Sequence, residues 1–137
     1  MNKKLKLSKE DNDFLNTVAV GVWTNGAPKT KDINDLSVLE LHGKISYCIP
    51  AKKYELAEKL LTLEENKCNN LFDLHYCYNY WIELSYKQRE NPNYFDLCIE
   101  YCKKDIEIYP EIKDMLHGAL IPSFERLAII YEKQGNI

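Results

Sequence analysis

Between Leu71 and Glu90 the chain runs without a glycine or a proline, while Leu71, Leu74, Tyr78, Trp81 and Ser85 recur at three- and four-residue steps, with His75 and Ile82 beside them. This is the pattern of a helix buried along one side, and a period near 3.6 residues does not fit the alternating faces of a strand. The segment is predicted to be the central helix, and the rest of the chain repeats its pattern in shorter pieces. Ser8-Lys9-Glu10-Asp11 has capping-box form, and Phe14, Leu15, Val18, Ala19 and Val22 carry a helix from about Ser8 to Trp23, stopped by Asn25-Gly26-Ala27-Pro28. Val20 to Trp23 would also suit a short strand before an Asn-Gly turn, but no second alternating segment offers it a partner.

Further along, Asn25 to Asn34 reads as a polar linker. Asp35 or Ser37 with Glu40 then caps a helix bearing Val38, Leu41, Ile45 and Cys48, which Pro50 ends. Tyr54, Ala57, Leu60 and Leu61 define the next helix, closed near Asn66. Beyond the central helix, Asn91-Pro92-Asn93 breaks the pattern and Asn93 is read as a cap. Tyr94, Leu97, Cys98, Tyr101, Cys102 and Ile106 continue on a new stripe to Tyr109, with Pro110 as terminator. Glu111 to His117 suits one or two turns before Gly118, and Pro122 opens a last helix running to Gly135. The expectation is an all-α chain of about seven helices with short connections.

Composition narrows the function classes. The 137 residues suffice for one domain or a short array of repeats. A hydrophobic fraction of 45% with 28% charged residues is that of a folded globular protein. The net charge of -3 lacks the basic stripe that counterion-driven nucleic-acid binding needs, so no nucleic-acid partner is expected. No apolar run approaches a membrane span, and Met1 to Lys6 is followed by Ser-Lys-Glu-Asp rather than a signal-peptide core. The reading is therefore no membrane partner and a cytoplasmic location.

The five cysteines, Cys48, Cys68, Cys77, Cys98 and Cys102, are odd in number and contain no C-x-x-C pair, which excludes a complete disulfide framework. Cys98 and Cys102 stand four apart on a predicted helix, and with His75 and Cys77 they have the residue types of a metal site. Four is also the helix packing period and free cysteine is a common small core residue, so the packing reading is preferred and no metal or other cofactor is expected. His42 and His117 have no sequence neighbour that marks a catalytic dyad. The chain lacks a phosphate-binding glycine loop, an H-E-x-x-H pair and a nucleophile elbow, so no catalytic residues are assigned and the chain is read as not an enzyme.

Two stretches share a longer pattern. Phe124-x2-Leu127-Ala128-x2-Tyr131, followed by Glu132-Lys133-Gln134-Gly135-Asn136, matches the first-helix half of a helix-pair repeat of about 34 residues. Cys98-x3-Cys102 with Pro110 eight positions on matches the second half. The chain thereby resembles the tetratricopeptide repeat family from about Asp35 onward. The phrase from Ile121 to Asn136 is also similar to repeats in small uncharacterised proteins of Gram-positive bacteria and their phages. The sixteen lysines against two arginines fit an AT-rich genome. The sequence departs from the repeat in several places. Ile82 stands at a Gly/Ala position, the turn around Pro92 is four residues longer than the pattern, and the Glu111 to Leu120 segment reads as an insertion. A weaker upstream copy would put Gly43 and Ala57 at small positions and Leu61 at a bulky one.

The resemblance implies antiparallel helix pairs stacked as a short TPR-like α-solenoid, with residues 1–34 as a capping helix and linker and 35–137 as repeats whose last copy lacks its second helix. It implies a non-catalytic module that binds a peptide or helix of a partner protein along a groove. The matching positions are Tyr76, Asn79, Glu83, Tyr86 and Lys87, then Glu125, Ile129, Glu132 and Lys133, joined by Glu40, Lys44 and Tyr47 if the upstream register holds. The alternative is a phage or bacterial regulatory protein that senses a peptide or inhibits a host defence enzyme. Phe124, Leu127, Ala128 and Tyr131 form a packing stripe with no second helix to cover it. A homodimer, a fold-back of Phe14, Val18 and Val22, or the partner would cover it, and the dimer is preferred because the first helix is needed as a cap.

Overall fold

The computed structural model describes residues 4–18, 32–115 and 126–130, and among these every regular element is helical. The elements are α1 (Lys9–Val18), a 3-10 turn (Ile33–Asp35), α2 (Val38–Cys48), α3 (Tyr54–Lys67), α4 (Leu71–Lys87), α5 (Pro92–Ile112) and a 3-10 turn (Lys113–Met115). Residues 126–130 are helical as well, which gives six α-helical segments among the described residues against the seven expected. No helix among these residues is long and apolar enough to cross a membrane. The chain divides into two compact units, Met1–Lys67 and Cys68–Ile137.

The first unit is built on α2 and α3. Ser37 closes both halves of a capping box: its Oγ accepts from the Glu40 N–H at 3.1 Å, and the Glu40 carboxylate accepts from the Ser37 N–H at 3.0 Å. Leu41, Ile45 and Cys48 of α2 and Ala57, Leu60 and Leu61 of α3 are fully buried, as their spacing predicts, while Val38 and Tyr54 are half-buried and Leu56, not singled out by the sequence, is buried as well. The tight connection between the two helices places Lys52 at a φ of 61°, a left-handed conformation that costs a non-glycine residue about 1 kcal/mol. Gly43, a small position in the upstream repeat register, does not serve close packing, because a Cβ built there would meet nothing within 4 Å.

Ahead of α2, Asn34 acts as a tie. Its side chain exchanges hydrogen bonds with the backbone of Leu5 at 2.8 and 2.9 Å, and Lys67 Nζ donates to the carbonyls of Asn34 and Leu36 at 2.6 and 2.7 Å. Asp32 caps the 3-10 turn, and the Asn34 backbone N–H and side-chain amide that bond it hold its carboxyl below the usual range. The end of the expected polar linker is thus an ordered turn. In α1, Ser8 Oγ accepts from the Asp11 N–H, Leu15 is buried, and Lys53 reaches both Glu10 and the Phe14 ring. The expected continuation of this helix to Trp23, including Val22, and the strand alternative lie outside the described residues.

The second unit is built on α4 and α5. Contacts between them run in opposite chain directions: His75 meets Asp105, Tyr78 and Trp81 meet Tyr101, and the Cys98 thiol lies 3.8 Å from the Ile82 carbonyl. The pair is therefore antiparallel. Trp81 and Tyr101 stack with centroids 4.9 Å apart and planes 3° from parallel. Trp81, Ile82, Ser85, Cys98 and Cys102 are buried as expected, whereas Tyr78 is only half-buried, and Cys77 and Leu84, off the expected stripe, are fully buried.

Two boundaries differ from the sequence reading. The cap of α5 is Asn91, not Asn93: Asn91 Oδ1 accepts from the Asn93 N–H, and Pro92 takes the first helical position, where its fixed φ fits and no N–H is needed. Pro110 does not end α5, which continues to Ile112. In the last turn Pro110 removes the one hydrogen bond its N–H would have donated, and the extra turn buries Ile112, at 2% exposure. The ends of the expected last helix, at Pro122 and Gly135, fall outside the described residues.

Candidate functional site

Each unit carries one histidine joined through Nδ1 to a buried carboxylate. In the first, His42 on α2 lies 3.3 and 3.4 Å from the two oxygens of Glu64 on α3; the carboxylate is fully buried and the imidazole a quarter exposed. In the second, His75 on α4 lies 2.7 Å from Asp105 Oδ1 on α5, and both groups are sealed from solvent. Both histidines stand five positions after their helix caps, Ser37 and Asn70, so the N-terminal parts of α2 and α4 repeat each other at an interval of 33 residues. Sequence reading does not pair these groups, because their partners lie 22 and 30 residues away; the shared cap-to-histidine spacing is the signal that marks them.

The second clasp reaches the neighbouring residue. Asn79 Nδ2 sits 3.4 Å from His75 Nε2, and its Oδ1 is buried with no hydrogen-bond partner, as is Asp105 Oδ2. Asn79, expected to face a partner, is half-buried against the clasp. Tyr76, Glu83 and Lys87 stand on the exposed side of α4. Tyr76 is braced by edge-on contacts to Phe72 and His75, with centroids 5.0 and 4.9 Å apart. On α2, Glu40 and Tyr47 are exposed, whereas Lys44 is half-buried and burial lowers its ammonium pKa against the opposing pull of Glu40.

Tyr86 is not an open surface tyrosine. The guanidinium of Arg89 lies 4.1 Å from its ring centroid and that of Arg126 3.8 Å, so both arginines of the chain converge on one half-buried ring. Ile129 and Leu127 are half-buried, Ala128 is exposed, and Ile130, which the sequence reading does not single out, is buried. Glu125, Glu132 and Lys133 of the expected groove, and Phe124 and Tyr131 of the expected self-association stripe, lie outside the described residues.

The five cysteines are free thiols, four of them buried. Burial, with Asp11 adding to it, pushes the Cys48 thiol up to about 12. Cys98 and Cys102 stand one helical turn apart on α5, both buried. The neighbouring Cys102 thiol lowers the Cys98 pKa against the effect of burial, with help from Ser85, Arg126 and Arg89, while Cys98 and burial raise that of Cys102. Both sulfurs sit in the α4–α5 seam, where small side chains let the helices approach. No family model matches the chain, and neither a curated protein nor a solved structure matches it.

Proposed function

We propose that the protein is a non-catalytic interaction module that binds a peptide or helix of a partner protein along the exposed side of α4. The observation that carries the reading is the division of labour on that helix. One side is spent on the α5 seam, while Tyr76, Glu83 and Lys87 are presented to solvent. Tyr76 is the anchor: a large ring held by two aromatic neighbours loses little freedom when it meets a ligand. Tyr47, 43% exposed on α2, repeats the theme in the first unit. The sealing of His75 and Asp105 from solvent favours a structural clasp over a proton-transfer dyad, since a general base must reach a substrate. The arrangement of helix hairpins into a TPR-like solenoid belongs to the same proposal, supported by the recurrence of cap and histidine at 33 residues.

Selection from a displayed random peptide library tests the reading. Enriched peptides should bind the wild-type protein and lose about tenfold or more in affinity to Tyr76→Ala and Glu83→Lys. Denaturation of either variant should show a stability change of less than about 1 kcal/mol, as for surface substitutions generally. Absence of enrichment, or binding indifferent to both substitutions, refutes it.

A further inference from the structure

The chain carries sixteen lysines and two arginines, yet both arginines meet at Tyr86. Each guanidinium lies within 4.1 Å of the same ring centroid, so the two positive charges stand at most about 8 Å apart. Among the described residues no carboxylate lies within ion-pair distance of either. Arg89 spends one N–H on the Tyr86 carbonyl at 3.0 Å, whereas Arg126 makes no protein hydrogen bond among the described residues, and with its Nε buried only its terminal N–H groups can meet a ligand. The exposed Arg89 fork can hold an oxyanion bidentately, and Arg126, on the same ring, adds its charge from within about 8 Å, so the pair suits an oxyanion of high charge. Their joint charge matches a dianion better than a carboxylate, which would leave one guanidinium uncompensated.

We propose that Arg89, Arg126 and Tyr86 form a binding site for a phosphomonoester dianion, carried on a side chain of the peptide that lies along α4. The inference rests on the interaction reading above for the source of the phosphoryl group. Lys87 precedes Arg89 by two positions, so the exposed side of α4 turns cationic at its C-terminal end, after the carboxylate of Glu83. A peptide along the helix would therefore meet one acid and then a basic clamp, which places the phosphoryl group at the end of the helix nearest α5.

Calorimetric titration of the full chain with phenyl phosphate, benzoate and inorganic phosphate tests the site without any peptide. Saturable 1:1 binding of phenyl phosphate is expected, at least tenfold tighter than benzoate, and weakened about tenfold by Arg89→Gln and by Arg126→Gln. Arg89 is exposed, so its variant keeps the test valid should Arg126→Gln fail to fold. No saturation, equal affinity for benzoate, or indifference to Arg89→Gln overturns the proposal. A library-selected peptide synthesised with and without a phosphorylated residue then identifies the source. A gain of tenfold or more on phosphorylation, lost in Arg89→Gln, supports it, and no gain overturns the peptide as source. Glu83→Lys separates the two readings, since it should weaken peptide binding about tenfold or more while leaving phenyl phosphate bound; phenyl phosphate bound with no peptide selected would refute the interaction reading and retain the anion site.

Discussion

Replacing Asp105 by alanine isolates the His75 clasp. The carboxylate is fully buried and its Oδ1 lies 2.7 Å from His75 Nδ1, so its removal strands a buried N–H with no acceptor and leaves a small void in the α4–α5 seam. A stranded buried donor costs about 1–3 kcal/mol, and the void left by the carboxyl group adds to that. A loss of about 3 kcal/mol is expected for Asp105→Ala. Asp105→Asn keeps an acceptor for His75 and alters the oxygen that already lacks a partner, so its expected loss is about 1 kcal/mol. In a unit of this size 1 kcal/mol shifts the melting temperature by roughly 4–8 °C, which puts the alanine variant more than about 12 °C below wild type. The near-ultraviolet circular dichroism of the stacked Trp81 and Tyr101 reports the transition from within the same seam. Losses below about 1 kcal/mol for alanine, or equal losses for alanine and asparagine, would refute the clasp as a buried hydrogen bond that holds the seam.

Two further substitutions probe the first unit. Gly43→Ala should stabilise by about 1 kcal/mol in chemical denaturation, since α2 gains helix propensity and the added methyl meets no atom within 4 Å; a loss of stability would mean that Gly43 serves close packing after all. Cys48 predicts an alkaline weakness. Its thiol stays protonated in the folded chain up to about 12, while the unfolded chain releases that proton from about 9, so the contribution is complete below pH 9 and is lost as pH rises towards 12. The slope reaches at most about 1.4 kcal/mol per pH unit, and Cys48→Ala should flatten the fall of the denaturation midpoint between pH 9 and 11; an unchanged slope would remove Cys48 as its source.

What the sequence made legible was local. The box of Ser37 and Glu40, the stripe of Leu41, Ile45 and Cys48, and the seam residues Trp81, Cys98 and Cys102 follow from spacing alone, because capping and helix faces are set within a few residues. The α5 boundaries depart from the sequence reading at the two prolines, where context outweighs the residue type: Pro92 serves as a helix start, and at Pro110 the burial of Ile112 outweighs a missing hydrogen bond. The clasps and the double stacking on Tyr86 were not legible. Each joins side chains at least 22 residues apart or brings a distant arginine onto a ring, and helical periodicity gives the face of a residue without naming the residue opposite. Asn79 shows the same limit, since the position that matches a groove in the repeat pattern turns towards His75 here.

The order in which the clasps close is written in the chain. Glu64 follows His42 by 22 residues and Asp105 follows His75 by 30, and each carboxylate sits on the second helix of its own pair. During synthesis at about 5–20 residues per second, His75 emerges at least about 1.5 s before its acceptor does. Until then the apolar side of α4 has no α5 to cover it, and the pair cannot lock. The long second helix thus makes the later unit the slower to mature, and the interval before Asp105 emerges is when a holding chaperone would find Trp81 uncovered.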